Sequence, residues 1–162
     1  LVYPGQVLWE GTNLSEGRGT TQPFELFGAP FVDLERLQVQ IDAKRICGAV
    51  LRPIVFEPTA NKWSGQVCKG FQIHVINPKI FQPYDCSLLL LQQIISLFPQ
   101  DFQWKQPPYE YEYEALPIDL IIGNRSIRKR LENLENLEDI TAAWQDELAD
   151  YNRMRRDFLL YT

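Results

Sequence analysis

The sequence predicts a single domain of the α+β class, with a curved, partly barrel-like mixed sheet packed against helices. Three observations support this class. A chain of 162 residues with 45% hydrophobic side chains is long enough to bury one sizeable core. Strand-like and helical patterns follow each other in irregular order, not as regular βαβ units. No internal repeat or low-complexity tract divides the chain.

Strand signals occur in four stretches, which should pair into the sheet. They begin at Val2, Gly48, Val67 and Ile118. The second stretch, residues 48–56, contains Pro53, which has no N–H to donate to a neighbouring strand. We therefore expect this strand to lie at an edge or to contain a bulge.

The strand over residues 66–75 shows the clearest alternation. Its apolar side chains Phe71, Ile73 and Val75 should face the core, because successive strand residues point to opposite faces. Gln72 and His74 should then lie together on the other face. Polar side chains on one strand face can line a cleft.

Helical patterns account for much of the remaining chain, after a turn-rich connector at residues 24–30. Helices are predicted over residues 33–44, over 85–98 with Pro99 as the stop, and over 126–134. A longer helix is predicted over residues 137–158. Its buried stripe should be Leu137, Ile140, Trp144, Leu148, Tyr151 and Phe158.

The charge balance argues against two classes of partner. The chain carries 21 acidic and 16 basic residues, a net charge of −5, which disfavours nucleic acid or an anionic membrane. A basic run at residues 125–130 lies at helical spacing beside acidic residues, which predicts a salt-bridged surface. The longest apolar stretch is broken by Gln92 and Gln93. It is too short to span a bilayer.

Cysteine and histidine are too sparse to predict a metal site or a cofactor. Cys47, Cys68 and Cys86 form no CxxC pair, and the chain has one histidine. We expect the three thiols to be small buried hydrophobes, which leaves the redox compartment open. The glycine-rich loop near the start lacks the Gly-Lys-Ser/Thr ending that holds nucleotide phosphates. No metal and no cofactor are therefore expected.

That loop, residues 9–21, carries the densest set of reactive groups. Glu10 supplies an acid or base, Asn13 an amide that can donate and accept, and Arg18 a fixed cation. Its glycines allow positive φ angles and a close approach to a ligand. The alternative is a long turn whose hydroxyl groups bond their own backbone.

The loop also carries a family resemblance. Residues 10–30, EGTNLSEGRGTTQPFELFGAP, resemble the hallmark segment of the DUF1343 family, which includes the NamZ-type exo-β-N-acetylmuramidases. Three later stretches agree in order: LRP at 51–53 with FEPT at 56–59, CKGFQIHV at 68–75, and FLLY at 158–161. The resemblance covers essentially the whole chain.

The resemblance implies that residues 1–162 form a C-terminal domain, because family members carry a Rossmann-like domain before this segment. The active cleft would lie between the two domains, and the isolated chain would be inactive. The implied substrate is a muramic-acid sugar or peptidoglycan fragment, from which terminal N-acetylmuramic acid is released. An extracytoplasmic location is also implied, with any export signal upstream of Leu1.

Glycoside hydrolysis requires two carboxylic groups flanking the scissile bond. Glu10 is the first candidate and Glu16 a weaker second, because a residue in mid-loop is expected to be solvated. His74 is a candidate acid or base, since imidazole titrates near neutrality and His74 matches the family motif. The side chains predicted to bind the sugar are Thr12, Asn13, Ser15, Arg18, Thr20, Arg52 and Gln72.

Two further expectations complete this interpretation. Glu10, Asn13, Arg18 and His74 should converge on one concave surface. Arg18 could then grip the lactyl carboxylate of a muramic-acid sugar with two parallel hydrogen bonds. The alternative function is a non-catalytic carbohydrate-binding or protein-interaction module.

Overall fold

The computed structural model describes residues 1–41 and 46–161. In this part of the chain, β1 (Leu26–Ala29), β2 (Ala49–Phe56) and β3 (Cys68–Val75) form an antiparallel sheet in the order β1-β3-β2. The mixed α/β composition in a single domain is therefore confirmed. The expected barrel-like closure is wrong because β1 and β2 are the open edges, and the expected mixture of parallel and antiparallel pairs is wrong as well.

The sheet is tightly paired at its centre, where Gly28 of β1 lies opposite Gly70 of β3. A Cβ atom at Gly70 would lie 1.8 Å from the carbonyl oxygen of Phe27, so only glycine fits there. On the other side of β3, Pro53 lies in an edge strand, as its missing N–H predicted. β1 itself was missed, since it occupies the stretch interpreted as a turn-rich connector.

Helices and 3-10 turns make up the other regular elements of the described residues. They are α1 (Tyr3–Gln6), a 3-10 turn (Val7–Gly11), α2 (Leu34–Gln40), α3 (Pro83–Leu97), α4 (Pro117–Ile122), α5 (Arg125–Glu132), α6 (Leu137–Ala142), α7 (Gln145–Arg155) and a closing 3-10 turn (Arg156–Phe158).

The strands predicted at Val2 and Ile118 are wrong, because both stretches are helical. Each helix has a proline in its first turn, where a missing N–H costs no hydrogen bond. The two stretches also pack on each other: a Cβ atom at Gly11 would lie 2.8 Å from the Cα of Ile118. Short apolar runs bury equally well as helix or strand, so their composition does not separate the two.

The core is built on α3, which corresponds to the helix predicted over residues 85–98. Leu88, Leu90, Leu91 and Ile94 are fully buried, and α3 contacts α1, α2, α5 and α6. The helix begins at Pro83, two residues before the predicted Asp85. Burial of leucine and isoleucine side chains stabilises such a core by roughly 1.5–3 kcal/mol each.

The ends of two other predicted helices differ from expectation. α2 begins after Asp33, whose carboxylate accepts from the N–H of Arg36 at 3.0 Å, and the predicted end at Lys44 falls outside the described residues. The helix predicted over residues 137–158 breaks into α6 and α7.

The buried stripe predicted for that last helix is right only in its first half. Leu137 and Ile140 are buried, whereas Leu148, Tyr151 and Phe158 are 44%, 55% and 78% exposed. α7 buries no side chain. Its apolar residues therefore do not contribute to the core of this domain.

The cysteine prediction is also partly right. Cys68 and Cys86 are buried, but Cys47 is exposed. Burial raises the pKa of the Cys68 thiol to about 11 and, more strongly, that of Cys86 to about 12. Across residues 1–41 and 46–161, no helix combines the length and apolar character that crossing a bilayer requires.

Candidate functional site

Glu10 lies in the first 3-10 turn, where a buried neighbour holds the backbone in place. Trp9 is fully buried and stacks on Phe27 of β1, with 4.8 Å between ring centroids and 10° between ring planes. Its indole Nε1 donates to Oε1 of Gln6 at 2.9 Å. The Glu10 side chain is 15% exposed, at the edge of this packed cluster.

Two groups hold the Glu10 carboxylate. Nη2 of Arg18 donates to Oε1 at 2.5 Å, and the phenol of Tyr109 donates to Oε2 at 3.0 Å. Burial raises the pKa of Tyr109 to about 12, and the hydrogen bond to Glu10 adds to the increase. The Tyr109 phenol therefore keeps its proton at neutral pH and donates a hydrogen bond to Glu10.

Glu16 is buried, which corrects the expectation that it would be solvated; its side chain is 3% exposed. Nζ of Lys62 lies 2.8 Å from Oε2 of Glu16, and Nε of Arg18 lies 3.1 Å from Oε1. Arg18 thus bridges Glu10 and Glu16. A buried carboxylate needs such partners, because an isolated charge in the interior is very costly.

Lys62 uses its ammonium to join three parts of the loop. Besides Glu16, it donates to the carbonyl oxygens of Trp9 at 2.7 Å and Leu14 at 2.8 Å. Burial lowers the pKa of Lys62, and the Glu16 carboxylate opposes that decrease.

The residues on either side of Lys62, Asn61 and Trp63, have φ angles of 67° and 59°. This left-handed backbone costs on the order of 1 kcal/mol per residue.

These groups line a pocket of about 190 Å³. We call it the carboxylate pocket; its lining residues are Glu10, Glu16, Arg18, Asn61, Lys62 and Lys105. Two carboxylates and three cations give it a formal charge of +1, although the chain as a whole carries −5. The pocket is therefore suited to an anionic ligand.

A second cavity of about 440 Å³ adjoins the carboxylate pocket. We call it the tryptophan groove; it is lined by Thr12, Asn13, Asn61, Lys62, Trp63, Gln103, Trp104, Lys105 and Gln106. The two cavities share Asn61, Lys62 and Lys105. A ligand longer than one pocket could therefore extend from one cavity into the other.

All three of the predicted sugar-binding hydroxyls form hydrogen bonds within the loop. Thr12 Oγ1 donates to the carbonyl of Trp9 at 2.9 Å, and Thr20 Oγ1 donates to that of Gly17 at 2.6 Å. Ser15 Oγ accepts from the N–H of Gly17 at 3.1 Å. These contacts match the alternative interpretation of a self-bonded turn. Contact between these hydroxyls and a sugar stays a prediction.

Asn13 joins the loop to residues 101–103. Its side-chain N–H donates to the carbonyl of Asp101 at 2.8 Å, and its side-chain oxygen accepts from the N–H of Gln103 at 3.1 Å. The backbone N–H of Asn13 also donates to the carbonyl of Gln103 at 2.9 Å. Asn13 lines the tryptophan groove. Its hydrogen bonds also position residues 101–103 beside the groove.

The remaining predicted residues form a second cluster, across β2 and β3. Arg52 Nε donates to Nε2 of His74 at 3.2 Å, and Arg52 Nη2 donates to Oε1 of Gln72. Gln72 is buried, and its Nε2 donates to Oε1 of Gln22 at 3.2 Å. The lining of the carboxylate pocket includes none of Arg52, Gln72 and His74. The structure thus brings Glu10 and Arg18 together without His74, whose part in catalysis stays a prediction.

Comparison with known proteins identifies the family. Residues 1–161 match the family model described as exo-beta-N-acetylmuramidase NamZ, C-terminal. The chain belongs to this family. It is 34% identical over 161 residues to the peptidoglycan beta-N-acetylmuramidase NamZ of Bacillus subtilis strain 168, and the match covers 99% of this chain and 37% of that protein.

Solved structures share the fold of this NamZ C-terminal family member. One DUF1343 family protein from Bacteroides fragilis NCTC 9343 superimposes with a TM-score of 0.82 at 22% identity, over 99% of this chain and 41% of that one. A second protein from the same organism gives 0.66 at 21% identity, over 99% and 40%. The chain spans about two-fifths of the length of these relatives.

The site of this family member contains residues that the sequence did not indicate. Lys62 lies in a polar turn with no pattern that marks it, and Tyr109 belongs to a Tyr-Glu alternation that does not single it out. Two other tyrosines of that alternation, Tyr111 and Tyr113, are 91% and 71% exposed. In the part of the chain that the structure describes, no group of three or more His, Cys, Asp or Glu side chains is placed to hold a metal ion.

Proposed function

We propose that this chain forms one wall of the substrate cleft of an exo-β-N-acetylmuramidase, which releases terminal N-acetylmuramic acid from peptidoglycan fragments. An upstream Rossmann-like domain would form the opposite wall. The observation that carries the proposal is the carboxylate pocket, in which Glu10 lies among three cations. Membership of the NamZ C-terminal family supports the class of substrate.

The carboxylate pocket matches the chemistry of a muramic-acid sugar. Such a sugar bears a lactyl carboxylate, and the excess positive charge of the pocket favours an anion. Arg18 already engages Glu10 through Nη2 and Glu16 through Nε. The guanidinium has five N–H donors, and the Arg18 side chain is 45% exposed, so further donors remain for the sugar carboxylate.

Glu10 is the group proposed to act at the glycosidic bond. Its carboxylate accepts hydrogen bonds from both Arg18 and Tyr109, which fix its position in the carboxylate pocket. An ionised carboxylate can activate water or stabilise positive charge on the sugar ring. The proton donor for the leaving group would then come from the opposite wall.

Release of N-acetylmuramic acid from a muramic-acid glycoside tests the proposal. The isolated 162-residue chain should show no turnover, while the longer protein that includes the upstream domain should be active. In the longer protein, Glu10→Gln should lower turnover roughly a hundredfold or more, because it keeps the shape of the side chain but removes its charge.

The matched control is Glu35→Gln, which changes an exposed carboxylate on α2 and should leave turnover unchanged. Full turnover by the isolated chain would contradict the two-wall arrangement. An unimpaired Glu10→Gln variant would remove Glu10 from the mechanism and would favour the alternative, a non-catalytic carbohydrate-binding module.

A further inference from the structure

We propose that the tryptophan groove binds the second sugar of the substrate, the N-acetylhexosamine that follows the terminal muramic acid. This inference rests on the proposed function, which places the muramic acid in the carboxylate pocket. It adds a binding site next to that pocket and a preference for substrates of at least two sugars.

The lining of the groove has the chemistry that a pyranose ring requires. Trp63 and Trp104 supply large aromatic surfaces, against which the C–H face of a sugar and the methyl of an N-acetyl group can pack. The groove also offers the side-chain amides of Asn61, Gln103 and Gln106, which can donate to and accept from hydroxyl groups. An apolar surface with a few polar groups is typical of small-molecule sites.

Both indole rings are fixed by contacts of their own. Nε1 of Trp63 donates to the carbonyl of Asn13 at 2.5 Å, and Nε1 of Trp104 donates to Oε1 of Glu132 at 2.7 Å. Phe102 packs edge-on against Trp104, with 4.9 Å between centroids and 86° between ring planes. Because these rings are already ordered, binding a sugar costs little additional side-chain entropy.

The groove is held at a fixed position relative to Glu10. The N–H of Lys105 donates to the carbonyl of Gly11, the residue after Glu10, at 2.9 Å. Asn13 holds Asp101 and Gln103 through its side chain, as described above. Asn13 is therefore a positioning residue for the groove. These hydrogen bonds fix the position of one cavity relative to the other, as binding two consecutive sugars of one glycan would require.

The carboxylate pocket and the tryptophan groove differ in charge. The carboxylate pocket has a formal charge of +1 and suits the sugar that carries a carboxylate. Away from the shared Lys62 and Lys105, the groove is lined by neutral amides, a hydroxyl and indoles, which suit an uncharged N-acetylhexosamine. Peptidoglycan strands alternate these two kinds of sugar, so the order of the two cavities matches the order of the sugars along a strand.

Calorimetric titration of the 162-residue chain tests the inference with three ligands. These are N-acetylmuramic acid, its β-1,4-linked disaccharide with N-acetylglucosamine, and N,N′-diacetylchitobiose, which lacks the lactyl carboxylate. The disaccharide should bind about tenfold more tightly than N-acetylmuramic acid, equivalent to about 1.4 kcal/mol. The double variant Gln103→Ala/Gln106→Ala changes two exposed side chains and should abolish that difference while leaving the monosaccharide affinity unchanged.

Trp144→Phe is the matched control, since Trp144 packs against Tyr84 outside the groove and its loss should alter neither affinity. A disaccharide that binds no more tightly than the monosaccharide would overturn the inference. So would a double variant that weakens both ligands by the same factor.

Diacetylchitobiose separates this inference from the proposed function. If N-acetylmuramic acid does not bind but diacetylchitobiose binds and is weakened by the double variant, the groove is a sugar site and the muramic-acid proposal fails. If N-acetylmuramic acid binds and the groove variant changes nothing for any ligand, the proposed function stands and the second sugar site is rejected.

Discussion

Lys62 places its ammonium 2.8 Å from the buried carboxylate of Glu16, and the same ammonium donates to the carbonyl oxygens of Trp9 and Leu14. These acceptors lie on both sides of the turn that follows Glu10. A single lysine from a distant turn therefore connects three positions of the loop, residues 9, 14 and 16. The geometry of the carboxylate pocket depends on this interior ion pair.

Lys62→Met should destabilise the fold by about 3–5 kcal/mol, because it leaves the Glu16 charge buried with only Arg18 as partner. The free energy of unfolding in urea measures this. Adding Glu16→Gln should recover part of the loss, while two backbone carbonyls remain without their donor. Lys79→Met, at an exposed position, is the control. Equal stability of Lys62→Met and the control would contradict a structural role for the pair.

Glu10→Gln should lower the pKa of Tyr109 from about 12 part of the way towards 10, its ordinary value. Burial is the larger cause of the raised pKa and remains in the variant, whereas the contribution of the carboxylate is lost. An ultraviolet titration of phenolate absorbance measures the change, with Tyr109→Phe as the subtraction reference. Tyr84, whose pKa burial also raises to about 12, should not move.

The raised pKa of Tyr109 also sets the direction of a pH effect on stability. The folded-state pKa of about 12 exceeds the ordinary value of 10, so the folded state holds the proton more tightly than the unfolded state. The stabilisation is complete below pH 10 and is lost as the pH rises towards 12. A Tyr109→Phe variant should show a smaller loss of stability across that range. An identical loss in variant and wild type would contradict the assignment.

Local signals in the sequence were sufficient for several elements. Pro53 predicted an edge or bulged strand, and the apolar stretch before Pro99 predicted the helix that became α3. Glu10 and Arg18 lie eight residues apart in one loop, so a local turn is enough to bring them into contact. In each case the relevant interaction involves nearby residues or the chemistry of a single side chain.

The contacts that were not predicted are long-range. Lys62 and Glu16 are 46 residues apart, and Tyr109 and Glu10 are 99 apart, so no local pattern reports either pair. Glu16 was expected to be solvated because it lies in mid-loop, yet Lys62 and Arg18 enclose it. The short apolar runs at Val2 and Ile118 became helices because packing between elements decided their form.

Leu91→Ala should cost about 2–5 kcal/mol of unfolding free energy, since Leu91 is fully buried in α3 and its loss leaves a cavity. Leu148→Ala is the same substitution on α7, which buries no side chain, and it should cost less than about 0.5 kcal/mol. Urea denaturation of the isolated chain compares the two. A cost at Leu148 comparable to that at Leu91 would show that α7 packs against the core.

Arg18→Lys should mainly weaken substrate binding in the longer protein. Arg18 already reaches Glu10 with Nη2 and Glu16 with Nε. A single ammonium cannot keep these contacts and also grip the sugar carboxylate with two parallel hydrogen bonds. We expect KM for a muramic-acid glycoside to rise about tenfold, equivalent to about 1.4 kcal/mol of binding free energy. Turnover should change little, because the sugar carboxylate has the same charge in the ground state and the transition state.

Two comparisons make that result specific to the carboxylate. Arg125→Lys changes a guanidinium that is 73% exposed and lies outside the pocket lining, so its kinetics should match the wild type. A glycoside of N-acetylglucosamine lacks the lactyl group, and any residual activity on it should be insensitive to Arg18→Lys. If kcat falls instead while KM stays constant, Arg18 acts on the chemical step by orienting Glu10, since their ion pair is the contact that the substitution disturbs.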